Sequence, residues 1–372
     1  MDVSVDIAEI QLRNPVLTAA GPASRDGNSL RKAAEGGAGG LVAKTISVFP
    51  AEVPRPCISV VDRNRINLAL LNCETWSDIP YQEWIKSEYE IARNTGLPVI
   101  ASVGYSADDL KKLGPLVEKA GVDGIEFSLH YVGTDYRPIL EIAKALRESV
   151  EVPIFPKLSP HILNLPEFSK ELEKAGVDGI VAVNSYGPSL HIDIETARPT
   201  LGGEFGYGWL SGPAIKPLAI RFVADIARSV RIPVIGCGGV LKGTDAIEHI
   251  MVGASAVQIC TGAILKGPRI YGDVTTEIKK FMVDHDYNSI EDMRGKSLKY
   301  LKKESTIKTN PPLTKEELCI GCHLCERSCV YDAIRIEEVE PKKFNVLLEK
   351  GKCYSCGMCT TVCPTRAVLY KS

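Results

Sequence analysis

The chain has 372 residues, 45% hydrophobic and 24% charged, an ordinary globular balance that allows a large buried core. Its formal net charge of -2 and sequence pI near 6.4 argue against nucleic acid as the main partner. No basic start leads into an apolar run as in a signal peptide, and no apolar stretch is long enough to span a bilayer. A cytoplasmic protein with no membrane partner is expected.

From the start to about residue 290, short apolar runs alternate with longer amphipathic ones. The runs near 16–20, 40–45, 98–103, 124–128, 153–159, 179–184, 233–236 and 256–261 read as buried strands, being short and rich in Val and Ile. Helical stretches lie between them, among them 138–148, 166–175 and 213–230. Eight β–α alternations predict an α/β fold, a (β/α)8 TIM barrel, and not a doubly wound sheet. The phrase Glu-Lys-Ala-Gly-Val-Asp-Gly-Ile recurs at 118–125 and 173–180. It marks helix-to-strand joints of a barrel, not a solenoid repeat.

In such a barrel the loops leaving the C-terminal strand ends build the active site. Here those ends carry Ala20-Gly21, Lys44-Thr45, Lys157, Asn184-Ser185, Gly236-Cys-Gly-Gly239 and Cys260-Thr-Gly262. The last two fall where many barrels bind phosphate, because glycines let backbone N–H groups approach it. Two inward lysines, Lys44 and Lys157, are costly to bury unless an anion or an electron-rich ring receives them. Barrel residues are expected over 1–291. A polar, Lys-rich linker follows over 292–312, stopped by Pro311-Pro312, and a small α+β domain over 313–372.

That last domain holds eight of the twelve cysteines. Cys319, Cys322, Cys325 and Cys329 form one C-x2-C-x2-C-x3-C run, and Cys353, Cys356, Cys359 and Cys363 form another, followed by Pro364. This is bacterial ferredoxin spacing, in which the fourth Cys of each run ligates the other cluster. Two [4Fe–4S] clusters are therefore expected, one on Cys319, Cys322, Cys325 and Cys363, the other on Cys353, Cys356, Cys359 and Cys329. Zinc sites use C-x2-C pairs and do not need this doubled run. Such thiolates call for a reducing compartment, in line with the cytoplasm.

The barrel motifs are Asn14-Pro-Val-Leu-Thr-Ala-Ala-Gly21, Val42-Ala-Lys-Thr-Ile46, Asn67-Leu-Ala-Leu-Leu-Asn72 with Glu74-Thr75, and Phe155-Pro-Lys-Leu-Ser159. They continue with Ala182-Val-Asn-Ser185, Leu210-Ser-Gly-Pro-Ala-Ile-Lys-Pro217, Ile235-Gly-Cys-Gly-Gly239 and Val257-Gln-Ile-Cys-Thr-Gly262. In these the chain resembles the FMN barrel of dihydroorotate dehydrogenases. It resembles still more the FMN-plus-ferredoxin half of dihydropyrimidine dehydrogenases, over nearly its whole length.

The resemblance implies that Ala20, Gly21, Lys44, Thr45, Lys157 and Asn184 contact the flavin and its ribityl chain. It implies that Ser211, Gly212, Gly238, Gly239, Thr261 and Gly262 hold the FMN tail and phosphate. Asn67, Ser128, Asn184 and Ser185 would face the substrate. One segment departs from the family, which carries an Asn-x-Ser-Cys-Pro stretch after strand 4 with its Cys as acid/base. Here that segment is Glu126-Phe-Ser-Leu-His-Tyr-Val-Gly133, with no cysteine. Tyr131 by position and His130 by chemistry are the candidate proton donors, with Lys44 beside them as a third catalytic candidate. Of the other histidines, His161 and His191 follow strands 5 and 6 near the pocket, and His249 and His285 read as helix or surface residues.

The resemblance implies an FMN- and iron–sulfur-dependent oxidoreductase acting on CH–CH groups of a small polar, dihydropyrimidine-like substrate. No βαβ unit with G-x-G-x-x-G accompanies it, so nicotinamide chemistry belongs elsewhere. The expected partner is ferredoxin or a separate NAD(P)H-oxidising flavoprotein subunit, and the chain is expected to form a homo-oligomer. The competing reading is an electron-transfer subunit of a larger redox complex whose barrel has lost the family's chemistry.

Overall fold

The computed structural model describes residues 1–128, 136–301 and 310–370, which fall into two units, Met1–Leu301 and Lys302–Ser372. In the first unit, eight parallel strands correspond to the eight apolar runs. They are β1 (Val16–Thr18), β2 (Leu41–Ile46), β3 (Val99–Val103), β4 (Gly124–Ser128), β5 (Ile154–Leu158), β6 (Ile180–Ala182), β7 (Val234–Cys237) and β8 (Ala256–Ile259). Their order, β1-β8-β7-β6-β5-β4-β3-β2, is that of a barrel. Strands β2 to β5 are buried at every residue, which is why they read as mostly apolar runs and do not alternate.

The barrel closes across a thin seam. Between β1 and β2 the ladder shrinks to one bridge, Leu17 with Gly40. The Thr18 hydroxyl fills the gap, donating to the Val42 carbonyl at 2.8 Å and accepting from the Val42 N–H at 2.6 Å. Inside, Phe155, Ile100, Val181 and Ile235 pack with Ile7, Ile10 and Leu12 of an N-terminal hairpin (Val5–Ile7 with Ile10–Leu12). Ile10 approaches Gly124, at the start of β4, so closely that an added Cβ would stand 3.0 Å from it. The hairpin thus plugs the N-terminal end and leaves the C-terminal end open. A second, larger apolar layer joins the outer strand faces to the helices, with Trp84, Tyr89, Phe168 and Tyr271 among its fully buried members.

The helices follow local chemistry. Asp26 caps Gly27–Glu35 by accepting from Ser29 N, and Ser106 with Asp109 forms a capping box for Ala107–Lys119. The helix expected over 213–230 is instead a tight turn (Pro213–Ile215) leading into Lys216–Ala227. Beyond the barrel strands, a four-stranded antiparallel sheet forms from Ile58–Val60, Leu70–Asn72, Gly208–Ser211 and Tyr186–Ser189. It joins the loops after β2 and β6. The barrel unit also extends past residue 291: Gly295 N donates to Ile250 O (3.0 Å), Ser297 N to Met251 O (2.9 Å) and Arg228 Nη1 to Leu301 O (3.2 Å). These bonds attach the polar stretch up to Leu301 to the barrel's helices.

In the second unit, Leu313–Thr314 pairs with Val368–Leu369 and Ile334–Glu340 with Lys343–Leu348, beside short helices Leu324–Arg327 and Met358–Val362. Its core is small: Cys325, Ile334, Ile336, Val346 and Val368, with half-buried cysteines against them. Among the described residues of the chain, no helix is long and apolar enough to cross a membrane.

Replacing Thr18 with Val keeps the shape and strands both Val42 backbone groups at the seam. Buried unsatisfied groups cost about 1–3 kcal/mol. The denaturant midpoint of the barrel transition is expected to fall accordingly with Thr18→Val and to recover with Thr18→Ser.

Candidate active site and cysteine quartets

A cleft opens at the C-terminal ends of the strands, where a barrel of this kind places its ligand site. Every residue expected to hold the cofactor lines it. Of the expected substrate-facing residues, Ser128, Asn184 and Ser185 line it and are bonded to one another. Asn184 Nδ2 donates to Ser128 Oγ at 3.0 Å, and Ser185 N donates to Asn184 Oδ1 at 2.8 Å. Asn67 does not join them. It is exposed on the loop before Leu70–Asn72 and absent from the cleft wall, where Asn72 stands instead. His130 and Tyr131 lie outside the described residues.

The floor is built around Lys157, 5% exposed on β5. Its Nζ donates to Gln258 Oε1 on β8 at 2.9 Å and stands 3.4 Å from Glu126 Oε1 on β4, while Gln258 Nε2 donates to Glu126 Oε2 at 2.5 Å. Register explains the meeting. Ser128 pairs with Lys157 across β4 and β5, and Glu126, two residues before Ser128, points to the same face. Burial works against the Lys157 charge, but Cys237, Glu126 and Cys260 outweigh it at the alkaline pH where the thiols ionise, so the ammonium titrates above the ordinary lysine range. Burial also pushes both thiols up, Cys260 to about 11. At neutral pH they are therefore protonated, and Glu126 is the counter-charge.

Lys44, at the end of β2, has its own partner. Its Nζ lies 2.8 Å from Glu74 Oε2, with side-chain exposures of 8% and 16%. Glu126, Glu74 and Gln258 were not singled out as site residues from sequence, although all three sit inside quoted motifs. A signal was present in principle, since two buried lysines require two buried acids.

The phosphate end is a set of close approaches. Gly212, Gly238 and Gly239 all have positive φ (87°, 132° and 81°), a conformation that glycine adopts without strain. A Cβ on Gly239 would stand 2.4 Å from the Lys216 side chain, and one on Gly21 would stand 2.5 Å from Cys260 Sγ. The N–H groups of Gly238 and Gly239 have no backbone acceptor among the described residues. Ser211 and Thr261 meet across the cleft, Thr261 Oγ1 donating to Ser211 Oγ at 2.9 Å. Behind the loop, fully buried His249 donates from Nε2 to the Gly238 carbonyl (3.0 Å), while its Nδ1 faces Gly236 without a partner. This histidine is on a helix, as expected, but in the core and not at the surface. Open N–H groups, two hydroxyls and a glycine cradle suit a phosphate ester, and the lysine-bearing floor suits a flat, electron-rich ring. The residues present fit FMN.

The remaining candidates are elsewhere. Neither His161 nor His191 lines the cleft; His161 stacks on Tyr186 with ring centroids 4.9 Å apart. Burial, then Cys57, raises the Cys73 thiol above its usual range, so it is not a ready thiolate.

In the second unit, two small cavities each meet four cysteines. Cys319, Cys322, Cys325 and Cys363 line one; Cys329, Cys353, Cys356 and Cys359 line the other. Burial, then Cys363, Cys319 and Cys322, pushes the Cys325 thiol up to about 11. Burial, then Cys353, Cys356 and Cys329, raises that of Cys359. Among the described residues, no three His, Cys, Asp or Glu side chains converge as a single metal ion would require. Four soft donors around a cavity instead fit a cube of iron and sulfide.

A TIM barrel with this cleft, on one chain with a ferredoxin-like module, defines the class of iron–sulfur flavoprotein oxidoreductases. The dihydroorotate dehydrogenase family matches residues 2–282, and the 4Fe-4S dicluster domain matches residues 318–367. The catalytic subunit of dihydroorotate dehydrogenase B (NAD(+)) from Methanothermobacter thermautotrophicus is 34% identical over 304 residues, covering 79% of this chain and 97% of that protein. Those of Thermoplasma volcanium and Pyrococcus furiosus are 35% and 31% identical, covering 80% and 79% of this chain and 99% and 98% of theirs. The chain belongs to the dihydroorotate dehydrogenase family. These relatives are matched almost end to end by four-fifths of this chain, so about a fifth of it has no counterpart in them.

His249 gives the site a pH signature. Burial lowers its pKa from the ordinary 6.5 to about 4. The unfolded chain binds the proton first, so the contribution is complete above pH 6.5 and is lost as pH falls towards 4. A gap of that size is worth on the order of 3 kcal/mol. Unfolding titrations of the full chain should show a steeper acid loss for the native protein than for His249→Gln between these pH values.

Proposed function

We propose that the chain is an FMN- and iron–sulfur-dependent oxidoreductase that adds or removes two hydrogens across a C–C bond of a small polar, dihydropyrimidine-like ring. The observation that carries this reading is the convergence of Lys157, Lys44, Asn184 and the Gly238-Gly239 loop in one cleft, on a chain that also holds two cysteine quartets. FMN, when bound, supplies two-electron exchange with the substrate and one-electron exchange with iron–sulfur centres. The residues do the rest. Gly238 and Gly239 N–H groups with the Ser211 and Thr261 hydroxyls receive the phosphate, and Lys157, kept charged by Glu126, presents a fixed positive charge to the ring. Asn184 and Ser128, already bonded together, orient the substrate's polar edge. A proton must reach or leave the second carbon, and we assign its exchange to Tyr131 or His130, the protic side chains that follow Ser128 in sequence.

The two quartets, crosswise as the spacing requires, would carry two clusters. They would pass electrons between the barrel and ferredoxin or a separate NAD(P)H-oxidising flavoprotein. The relatives are named as catalytic subunits of an NAD(+) enzyme, and the cysteine quartets of this chain would supply the relay to such a partner. The rival reading, an electron-transfer subunit with a spent barrel, is opposed by the Asn184–Ser128–Ser185 arrangement, since a relay has no use for amides at a cleft wall.

Anaerobic reduction with a viologen, followed by addition of dihydropyrimidine and pyrimidine pairs, tests the proposal. Flavin reoxidation by an unsaturated ring is expected. If only a partner protein reoxidises the flavin, the catalytic reading is lost. Tyr131→Phe and His130→Asn should together identify the proton donor, one of them slowing reoxidation by about 100-fold or more. Unchanged rates in both would remove that segment from the chemistry.

A further inference from the structure

The cleft's charges are already matched, and this bears on what it can receive. The two lysines are the cationic side chains of the cleft wall among the described residues. Lys157 has Glu126 behind it, and Lys44 has Glu74 at 2.8 Å. Among the described residues, an anionic substituent on a substrate would meet no spare cation there, and it would face the Glu74 carboxylate in a poorly solvated place where like charges repel strongly. The second oxygen of Glu74 is still available. Its one hydrogen bond among the described residues is from the Cys57 thiol, with Sγ 3.9 Å from Oε1. Arg55 directs Nη1 to Cys57 Sγ at 3.2 Å and, among the described residues, makes no ion pair with Glu74.

Glu74 is also held in place. It follows the strand Leu70–Asn72, whose Asn72 bonds to the Trp209 carbonyl at 3.2 Å, and Cys73 N donates to the Cys57 carbonyl at 2.9 Å. The carboxylate is thus fixed by a sheet at the cleft wall and not on a free loop.

We propose that Glu74 is a specificity-determining residue. It sets the cleft against rings that carry a carboxylate and in favour of rings that present a hydrogen-bond donor, either an uncharged cyclic amide N–H or a protonated ring nitrogen. Lys44 is thereby committed to Glu74 and is not the receptor of a substrate anion. The inference rests on the reading of the cleft as the site of a C–C oxidoreductase, and it separates this chain from relatives named for dihydroorotate, a carboxylated ring.

The test uses the full chain loaded with flavin and clusters, under anaerobic conditions, with ligand binding read from the perturbation of the flavin absorbance. Uracil and orotate are the probes, because they differ by the carboxylate alone. The native protein is expected to bind uracil at least tenfold more tightly than orotate. Glu74→Gln, which keeps the shape and removes the charge, should tighten orotate at least tenfold, while Glu74→Asp should keep the native preference. Orotate binding to the native protein as tightly as uracil overturns the proposal, and that measurement needs no variant to fold. An unchanged preference in a flavin-loaded Glu74→Gln protein, or failure of either probe to bind, overturns it equally. If the preference is found but no ring reoxidises the reduced flavin, the catalytic reading fails and the specificity assignment stands.

Discussion

A charged ammonium at the centre of a barrel must have a partner that cannot move away, and much of this molecule satisfies that condition for Lys157. Lys157 stands on β5 and its partners come from two other strands: the carboxylate of Glu126 on β4 and the amide of Gln258 on β8, which are bonded to each other as well. They meet only if the barrel is closed and the β4–β5 register is the one that sets Ser128 against Lys157. A slip of one residue would turn Glu126 outward into the helix layer and leave the ammonium alone, at a cost of several kcal/mol. Burial at the same floor keeps Cys237 and Cys260 as neutral thiols, against the pull of the Lys157 charge. Register, charge state and cleft floor are one arrangement.

The phosphate end obeys a different constraint, that of space. Gly236 is needed because His249 comes so near that a Cβ would stand 2.5 Å from its Nδ1. The histidine in turn fixes the Gly238 carbonyl and so the direction of the loop. A buried neutral imidazole therefore acts on the rim from behind, through one hydrogen bond. This is why the acid stability of the fold and the shape of the rim are linked.

The barrel was legible because parallel strands buried on both faces leave short, mostly apolar runs, and all eight strands fall on such runs. So were the floor lysines, the glycine rim and the pairing of cysteines, since each follows from spacing or from residue chemistry at strand ends. What sequence reasoning missed lies where periodicity is silent. The strands Ile58–Val60 and Tyr186–Ser189 are short and only partly buried, and they become a sheet through contacts between segments more than a hundred residues apart. Asn67 was read as substrate-facing from its motif, yet that motif straddles a loop and a strand, and only its far end, Asn72, reaches the cleft. The polar stretch beyond residue 291 looked like a linker because its side chains are charged. Its backbone, which no side-chain pattern reports, is bonded to the barrel as far as Leu301.

The cleft has a floor and a roof of different origin. The floor is set by parallel barrel strands, where any change disturbs closure, charge and packing together. The roof is the antiparallel sheet drawn from two long insertions, after β2 and after β6, and it carries Ser211 and Gly212 and leads into Glu74. Changes in the roof away from Ser211 and Gly212 can therefore alter what the cleft recognises without disturbing the floor. Divergence in this architecture should collect in those two insertions, so that chains with the same floor and unlike roofs are expected to differ in diet more than in chemistry.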